Sequence, residues 1–261
     1  MQGRQPSRAE KVEWFMKDVR VVRRQKTTFN FLLLRTLIGT IALTFPFLTW
    51  WLANVRFEVG VPMSISVTYH LGSRDAFVGL LFVVSAFLFA YNGRYNEAKP
   101  ERQKEQSRLS KAAAMFAVIV ALVPTSCDLK WVKDVTGTNF DTCYAGYWNN
   151  GFPSAYLHMG AAILLFAILT LFCLRYFQQG TEGQTGKKGR RSKVYKVCGW
   201  TMVLAMVYGG VSFLTAEESV VSKNMFYVEL VCLVAFGIAW LVAGKQIGYF
   251  ASKREKFGLD R

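Results

Sequence analysis

The lengths of the uncharged apolar runs constrain this chain more than any other feature of its sequence. Runs at about 30–53, 76–92, 112–125, 154–177, 194–215 and 225–250 carry few charges or none. About 20 such residues, as a helix rising about 1.5 Å per residue, cross the hydrocarbon core of a bilayer. Inside that core each backbone N–H and C=O needs a partner within its own segment, so the runs are expected to be helical. The expected fold is all-α and polytopic: six transmembrane helices within residues 29–250, between a basic arm (1–28) and a basic tail (251–261). The run 112–125 is short for a crossing. Its helix is therefore expected to begin back in the charged segment 93–111, with Pro124 ending it.

Charge then orients the bundle. The 261 residues carry 32 Lys and Arg against 17 Asp and Glu, a net charge of +15. In a soluble domain that excess points to nucleic acid. Here the basic residues lie between the apolar runs, so no nucleic-acid partner is expected. The arm, 93–111, 175–196, the tail, Arg35 and Lys245 hold 27 of them, and the remaining connections hold five. That asymmetry predicts both termini in the cytoplasm, with anionic lipid of the cytoplasmic face as a partner. The chain is expected to be a multi-pass protein of an inner or plasma membrane if the source is bacterial. The first 28 residues show no cleavable signal peptide. In the arm, Trp14, Phe15, Met16, Val19 and Val22 alternate with Lys11, Lys17, Arg20, Arg23 and Arg24. This mixture suits either a helix lying on an anionic leaflet or a disordered basic arm. Arg35, near the inner end of the first run, is expected to snorkel to the headgroups.

Two of the five cysteines, Cys127 and Cys143, fall in the polar loop 126–153, which this topology places outside. A disulfide between them is expected, closing a ring worth about 3 kcal/mol in the chain-entropy model. Cys173, Cys198 and Cys232 lie in apolar runs and read as packing residues. The segment 178–193, QQGTEGQTGKKGRRSK, reads as a flexible basic connector.

The chemistry-bearing groups converge once the topology is drawn. His70, Arg74 and Asp75 precede the second run, His158 opens the fourth, and Glu229 lies one turn into the sixth. All map to the outer boundary, where an ionisable group faces a partner or water. His70, Asp75, His158 and Glu229 are therefore expected to form one polar cluster, and they are the candidates for any catalysis. The bland readings are Asp75 as a helix-start acid, Arg74 on lipid phosphate, His158 bonded to a neighbouring helix and Glu229 paired with Arg74 or His158. Ser64, Ser66 and Thr68 alternate with apolar Met63, Ile65 and Val67, which predicts an extended segment dipping into the protein. Ser64, Ser66, His70 and Arg74 are the candidate lipid contacts. No GxSxG, HExxH, CxxC or phosphate-binding glycine loop occurs, and no cofactor is expected.

These motifs resemble the six-helix family that includes the DRAM autophagy modulators and the remodelling protein for GPI-anchor lipids. The carrying residues are Pro62-Met63-Ser64-Ile65-Ser66, then His158 with Gly160, Ala161 and Phe166, then Glu229. The acid that follows Ile-Ser in that family is Val67 here, with Asp75 later. The chain is also similar to bacterial membrane proteins with an SIS…YH…RD.FVG signature. A more distant likeness is to the ceramidase and adiponectin-receptor hydrolases, which hold zinc with three histidines. This chain has two, so a metal set would be His70 and His158 with Asp75 or Glu229. The expected function is to bind or organise lipid without clear catalysis. The alternatives are a membrane-embedded lipid hydrolase, metal-dependent or not, using His70, Asp75, His158 and Glu229, and a small-solute transporter.

Overall fold

The computed structural model describes the backbone of residues 8–93, 100–127, 129–137, 154–179, 181, 183–215, 218–245, 247 and 249–250. It also describes their side chains, apart from those of 8–31, 56, 129, 135–136 and 218–223. Among the described residues the chain is all-helical, with no strand. Seven α-helices follow in order: α1 Arg8–Phe57, α2 Arg74–Ala90, α3 Pro100–Leu122, α4 Leu129–Thr136, α5 Ser154–Leu171, α6 Gly186–Thr215 and α7 Glu218–Ala243. A five-residue 3₁₀ helix, Ser66–His70, precedes α2, and a π turn, Phe172–Tyr176, extends α5. Among the described residues four segments are long and apolar enough to cross a membrane: Leu32–Val55, Ser154–Tyr176, Gly186–Thr215 and Asn224–Ala243. A membrane protein is the natural reading of four such helices.

Several boundaries differ from the sequence-based expectation. The arm and the first run are not separate, because α1 is one continuous helix of 50 residues through Pro46. The charged segment 93–111 is largely helical: as expected, the third helix starts well before its apolar run, at Pro100. The connector 178–193 is not wholly flexible. Its second half is the start of α6, where Arg191 is buried and donates to the Phe250 carbonyl at 2.8 Å. Lys, Arg, Glu and Gln are good helix formers, so charge alone did not mark a loop in either segment. The last helix stops at Ala243, short of 250, where Lys245 takes a left-handed conformation (φ 56°). The short helix α4 lies inside the polar loop 126–153.

Helices α1 and α7 cross with small residues in contact. A Cβ on Gly39 of α1 would lie 2.9 Å from the Gly237 carbonyl oxygen of α7. A Cβ on Gly237 would lie 2.9 Å from the Gly39 carbonyl oxygen, so the two backbones touch where neither residue has a side chain. Below this crossing, at the end near the termini, Trp240 is fully buried among Tyr91, Phe172, Phe177 and Phe236, with ring centroids 5.3–6.0 Å away. Each such pair contributes about 0.5–1.5 kcal/mol beyond the area it buries.

Arg35 does not snorkel. It is 8 % exposed and donates to the Tyr91 hydroxyl at 2.6 Å and to the Ala243 carbonyl at 3.3 Å. Its guanidinium also lies 5.4 Å from the Tyr91 ring centroid and 5.7 Å from that of Phe177. The carbonyl end of α7 and two aromatic faces replace the water that a headgroup position would supply. The Tyr91 hydroxyl passes the contact on to Gln106 Oε1 at 3.4 Å, which links α1, α2 and α3 at this level.

Candidate functional site

At the other end of the bundle α1 finishes and α2, α5 and α7 begin. The turn out of α1 is held by its own side chains. Asn54 accepts from the Gly60 N–H at 2.8 Å and donates to the Gly60 carbonyl at 2.9 Å, and Trp50 Nε1 donates to the same carbonyl at 2.6 Å. Gly60 has φ +68°, a conformation that glycine adopts without strain. The chain then turns inward instead of crossing the surface.

The segment that enters is the one the sequence singled out, but its conformation is not extended. The serine and threonine alternation that suggested a strand is wound into the 3₁₀ helix Ser66–His70. Ile65, Ser66, Val67, Thr68 and Tyr69 are all buried. A segment this deep must satisfy its own polar groups, and short i to i+3 bonds do so without a strand partner. The Ser64 hydroxyl accepts from the Val67 N–H at 3.0 Å, and the Thr68 hydroxyl donates to the Ile65 carbonyl at 2.6 Å. Phe45, Phe77, Leu81, Val120, Ala121, Ala161 and Phe226, from five helices, close around Ile65 and Tyr69. The segment is a plug in the end of the bundle.

Two different anchors hold it. At its start, Glu229 of α7 accepts three hydrogen bonds: Ile65 N–H at 2.5 Å and Ser66 N–H at 3.2 Å to Oε2, and the Ser66 hydroxyl at 3.0 Å to Oε1. The Phe226 N–H, from the same helix, donates to the Met63 carbonyl at 3.0 Å. A carboxylate at the open N–H end of a short helix is well matched in both charge and geometry.

The far end of the plug is tied to α3. Pro124 stops that helix and leaves carbonyls without intrahelical partners. Side chains from the plug and from α5 supply donors: the Tyr69 hydroxyl to Leu122 O at 3.4 Å, His158 Nδ1–H to Val123 O at 2.7 Å and His70 Nε2–H to Thr125 O at 3.1 Å. A carbonyl can only accept, so each bonded imidazole nitrogen carries the proton. In the neutral ring, His158 Nε2 is then a bare acceptor; it is buried and, among the described residues, meets no hydrogen-bond donor.

The sequence-derived site therefore divides. His70 and His158 meet at the end of α3. Glu229 works at the opposite end of the 3₁₀ helix, with Ser66 and Ile65. Asp75 is exposed in the first turn of α2, where an acid favours the helix dipole. Arg74 lies over the Tyr69 ring, 5.0 Å from its centroid. Of the candidate lipid contacts, Ser66, Ser64 and His70 are engaged in holding the plug, and Arg74 is at its rim. Among the described residues no three His, Cys, Asp or Glu gather to hold a metal ion, so no metal ligand is assigned. Sequence reasoning missed Tyr69 and the carbonyls of residues 122–125. Pro124 was the available signal, since a helix broken inside a bundle must have its last carbonyls capped from elsewhere.

The free thiols among the described residues are Cys173, Cys198 and Cys232, all buried; Cys127 is not one of them. Cys143, its expected partner, lies outside the described residues.

No family model, characterised protein or solved structure matches the chain.

Proposed function

We infer that this is a six-span membrane protein with cytoplasmic termini, which binds or organises lipid at the outer end of its bundle with no clear catalytic activity. The four long apolar helices supply four of the spans. α2, with 17 residues, and the apolar half of α3 would supply the other two. They pack on each other through Ser85, whose hydroxyl donates to the Ala114 carbonyl at 2.9 Å, and Ser110, which donates to the Leu88 carbonyl at 2.6 Å. The charge asymmetry of the sequence then sets the plug on the outer side.

The observation that carries the lipid reading is the plug itself. A polar segment, held at its start by Glu229 and at its far end by His70, closes one end of the bundle, with Arg74 at its rim over the buried Tyr69 ring. A fixed cation beside apolar helix surface is complementary to a phospholipid headgroup and its chains. Membership of the DRAM-like family is part of the proposal, and it rests on the Ser64-Ile65-Ser66, His158 and Glu229 motifs. The structure brings Ser66 and Glu229 of that set into contact.

The test is crosslinking by a photoactivatable phospholipid in proteoliposomes. Labelling concentrated in residues 60–75 and at the start of α5 supports the reading. Uniform labelling along the apolar helices removes it. Release of fatty acid or headgroup from the same vesicles would replace it with the hydrolase.

A further inference from the structure

We propose that the outward face of α6 holds an anionic phospholipid, with its phosphate on Arg190 and Lys193 and its acyl chains along Val197, Trp200 and Leu204. Arg190, Lys193, Val197, Trp200, Leu204 and Val207 are all exposed, and they succeed one another at intervals of three and four. That spacing sets them in one stripe along the helix. The opposite face, with Arg191, Tyr195, Cys198 and Met202, is buried against the bundle. The stripe is two cations followed by apolar side chains, the order in which a phospholipid presents its headgroup and its chains. In the orientation inferred above, this end of α6 meets the cytoplasmic leaflet.

No charged residue occurs from Val197 to Thr215, where α6 ends. At about 1.5 Å per residue this stretch is about 28 Å long, close to the thickness of a hydrocarbon core. Its start then marks the apolar boundary. Lys193 and Arg190 lie about 6 and about 10 Å beyond that boundary, at the level of the phosphates. Trp200 lies about 5 Å inside it, close to the interface that an indole favours. Arg190 is also held in place. The neighbouring Arg191 donates to the Phe250 carbonyl at 2.8 Å, which fixes residues 249–250 against the start of α6. Tyr249, which is 62 % exposed, is thereby set against Arg190, with the guanidinium 4.5 Å from its ring centroid. A ring contact does not consume the N–H donors of a guanidinium, which can bond two phosphate oxygens.

Charge decides the occupant. Between Glu182 and Glu217 the sequence has six Lys or Arg and no acid. A second copy of the chain is the other apolar partner that a bilayer offers. Two copies related by a two-fold axis along the membrane normal would set this face against itself, with Arg190 and Lys193 opposed to the same cations. Like charges so placed repel, whereas a phosphodiester supplies the complementary charge. A zwitterionic phospholipid gains less, because its own cationic group competes for the phosphate. The site depends on the bundle lying in a membrane, and not on the plug or on the side that the termini face.

Full-length protein in nanodiscs made of equal parts phosphatidylglycerol and phosphatidylcholine tests this. In parallel samples one or the other lipid carries a photoactivatable group in its acyl chain, and the label is mapped by mass spectrometry. Both leaflets of such a nanodisc have one composition, so the result is independent of topology and of any labelling at residues 60–75. Each cation near the surface contributes about fivefold to affinity for an anionic lipid, so phosphatidylglycerol should label residues 194–207 at least about fivefold more than phosphatidylcholine does. The preference should disappear in the Arg190→Gln, Lys193→Gln double variant. Equal labelling by the two lipids in the unmodified protein overturns the proposal, as does an undiminished preference in the double variant. Crosslinks joining α6 of two copies, with little lipid label on this face, assign it to a second copy and also overturn it. If the double variant does not fold, the comparison of the two lipids on the unmodified protein decides.

Discussion

Glu229 sits in an apolar helix; among the described residues no cationic side chain bonds to it, and its oxygens accept from two N–H groups and one hydroxyl. Removing a carboxylate from such a place strands its donors, and stranded donors cost more than the lost bond itself. Glu229→Ala leaves the N–H groups of Ile65 and Ser66 buried without an acceptor, and it should lower stability by about 3 kcal/mol. Ser66→Ala removes one hydroxyl and should cost about 1 kcal/mol. Thermal unfolding in detergent, followed by size-exclusion chromatography, ranks the two. Ser66→Ala being the more damaging would show that the carboxylate is not the anchor. Arg35 follows the same logic at the other end: it was expected at the headgroups but caps α7 instead.

At the scale of the helices, the α1–α7 crossing depends on two missing side chains. Gly237→Val pushes a branched group into Leu43 and the Gly39 backbone, and overpacking of this kind costs about 1–3 kcal/mol. Gly210 on α6 faces open space, so Gly210→Ala should leave stability equal or slightly raised. The pair belongs in one unfolding experiment, and equal effects at the two sites would mean that the crossing is not tight. Glycine content alone did not distinguish these positions. Gly209 and Gly210 are adjacent in sequence, yet only Gly209 packs closely, against Val228. Which glycine is essential depends on the rotation of each helix about its axis, a tertiary quantity.

For the whole molecule, two measurements decide between topologies. Reporter domains fused after residues 140 and 185 should report opposite sides of the membrane, as six spans with cytoplasmic termini require. Both on one side would leave α5 not crossing. Mass spectrometry without reduction should recover one linked peptide pair containing Cys127 and Cys143. Two alkylatable thiols at those positions in native membranes would refute the bridge and weaken the outer assignment of that loop.

The apolar runs and the distribution of Lys and Arg determined what could be read without a structure. They account for the helical class, the approximate places of the helices, and the end of the bundle where His70, His158 and Glu229 gather. These are local or additive properties, since span length and charge count do not depend on which helix touches which. The partners of those residues were decided by packing. Ser64, Ser66 and Thr68 alternate as a strand would, yet they wind into a 3₁₀ helix because five surrounding helices leave no neighbouring strand to complete their hydrogen bonds. Glu229 and the histidines were placed at one level, but level does not say which backbone groups each one meets. That follows from two boundary conditions set far apart in the chain: the open N–H groups at Ile65 and Ser66, and the carbonyls freed by Pro124. Each unsatisfied backbone group took the nearest side chain of complementary sign, and only the assembled bundle determines which one is nearest.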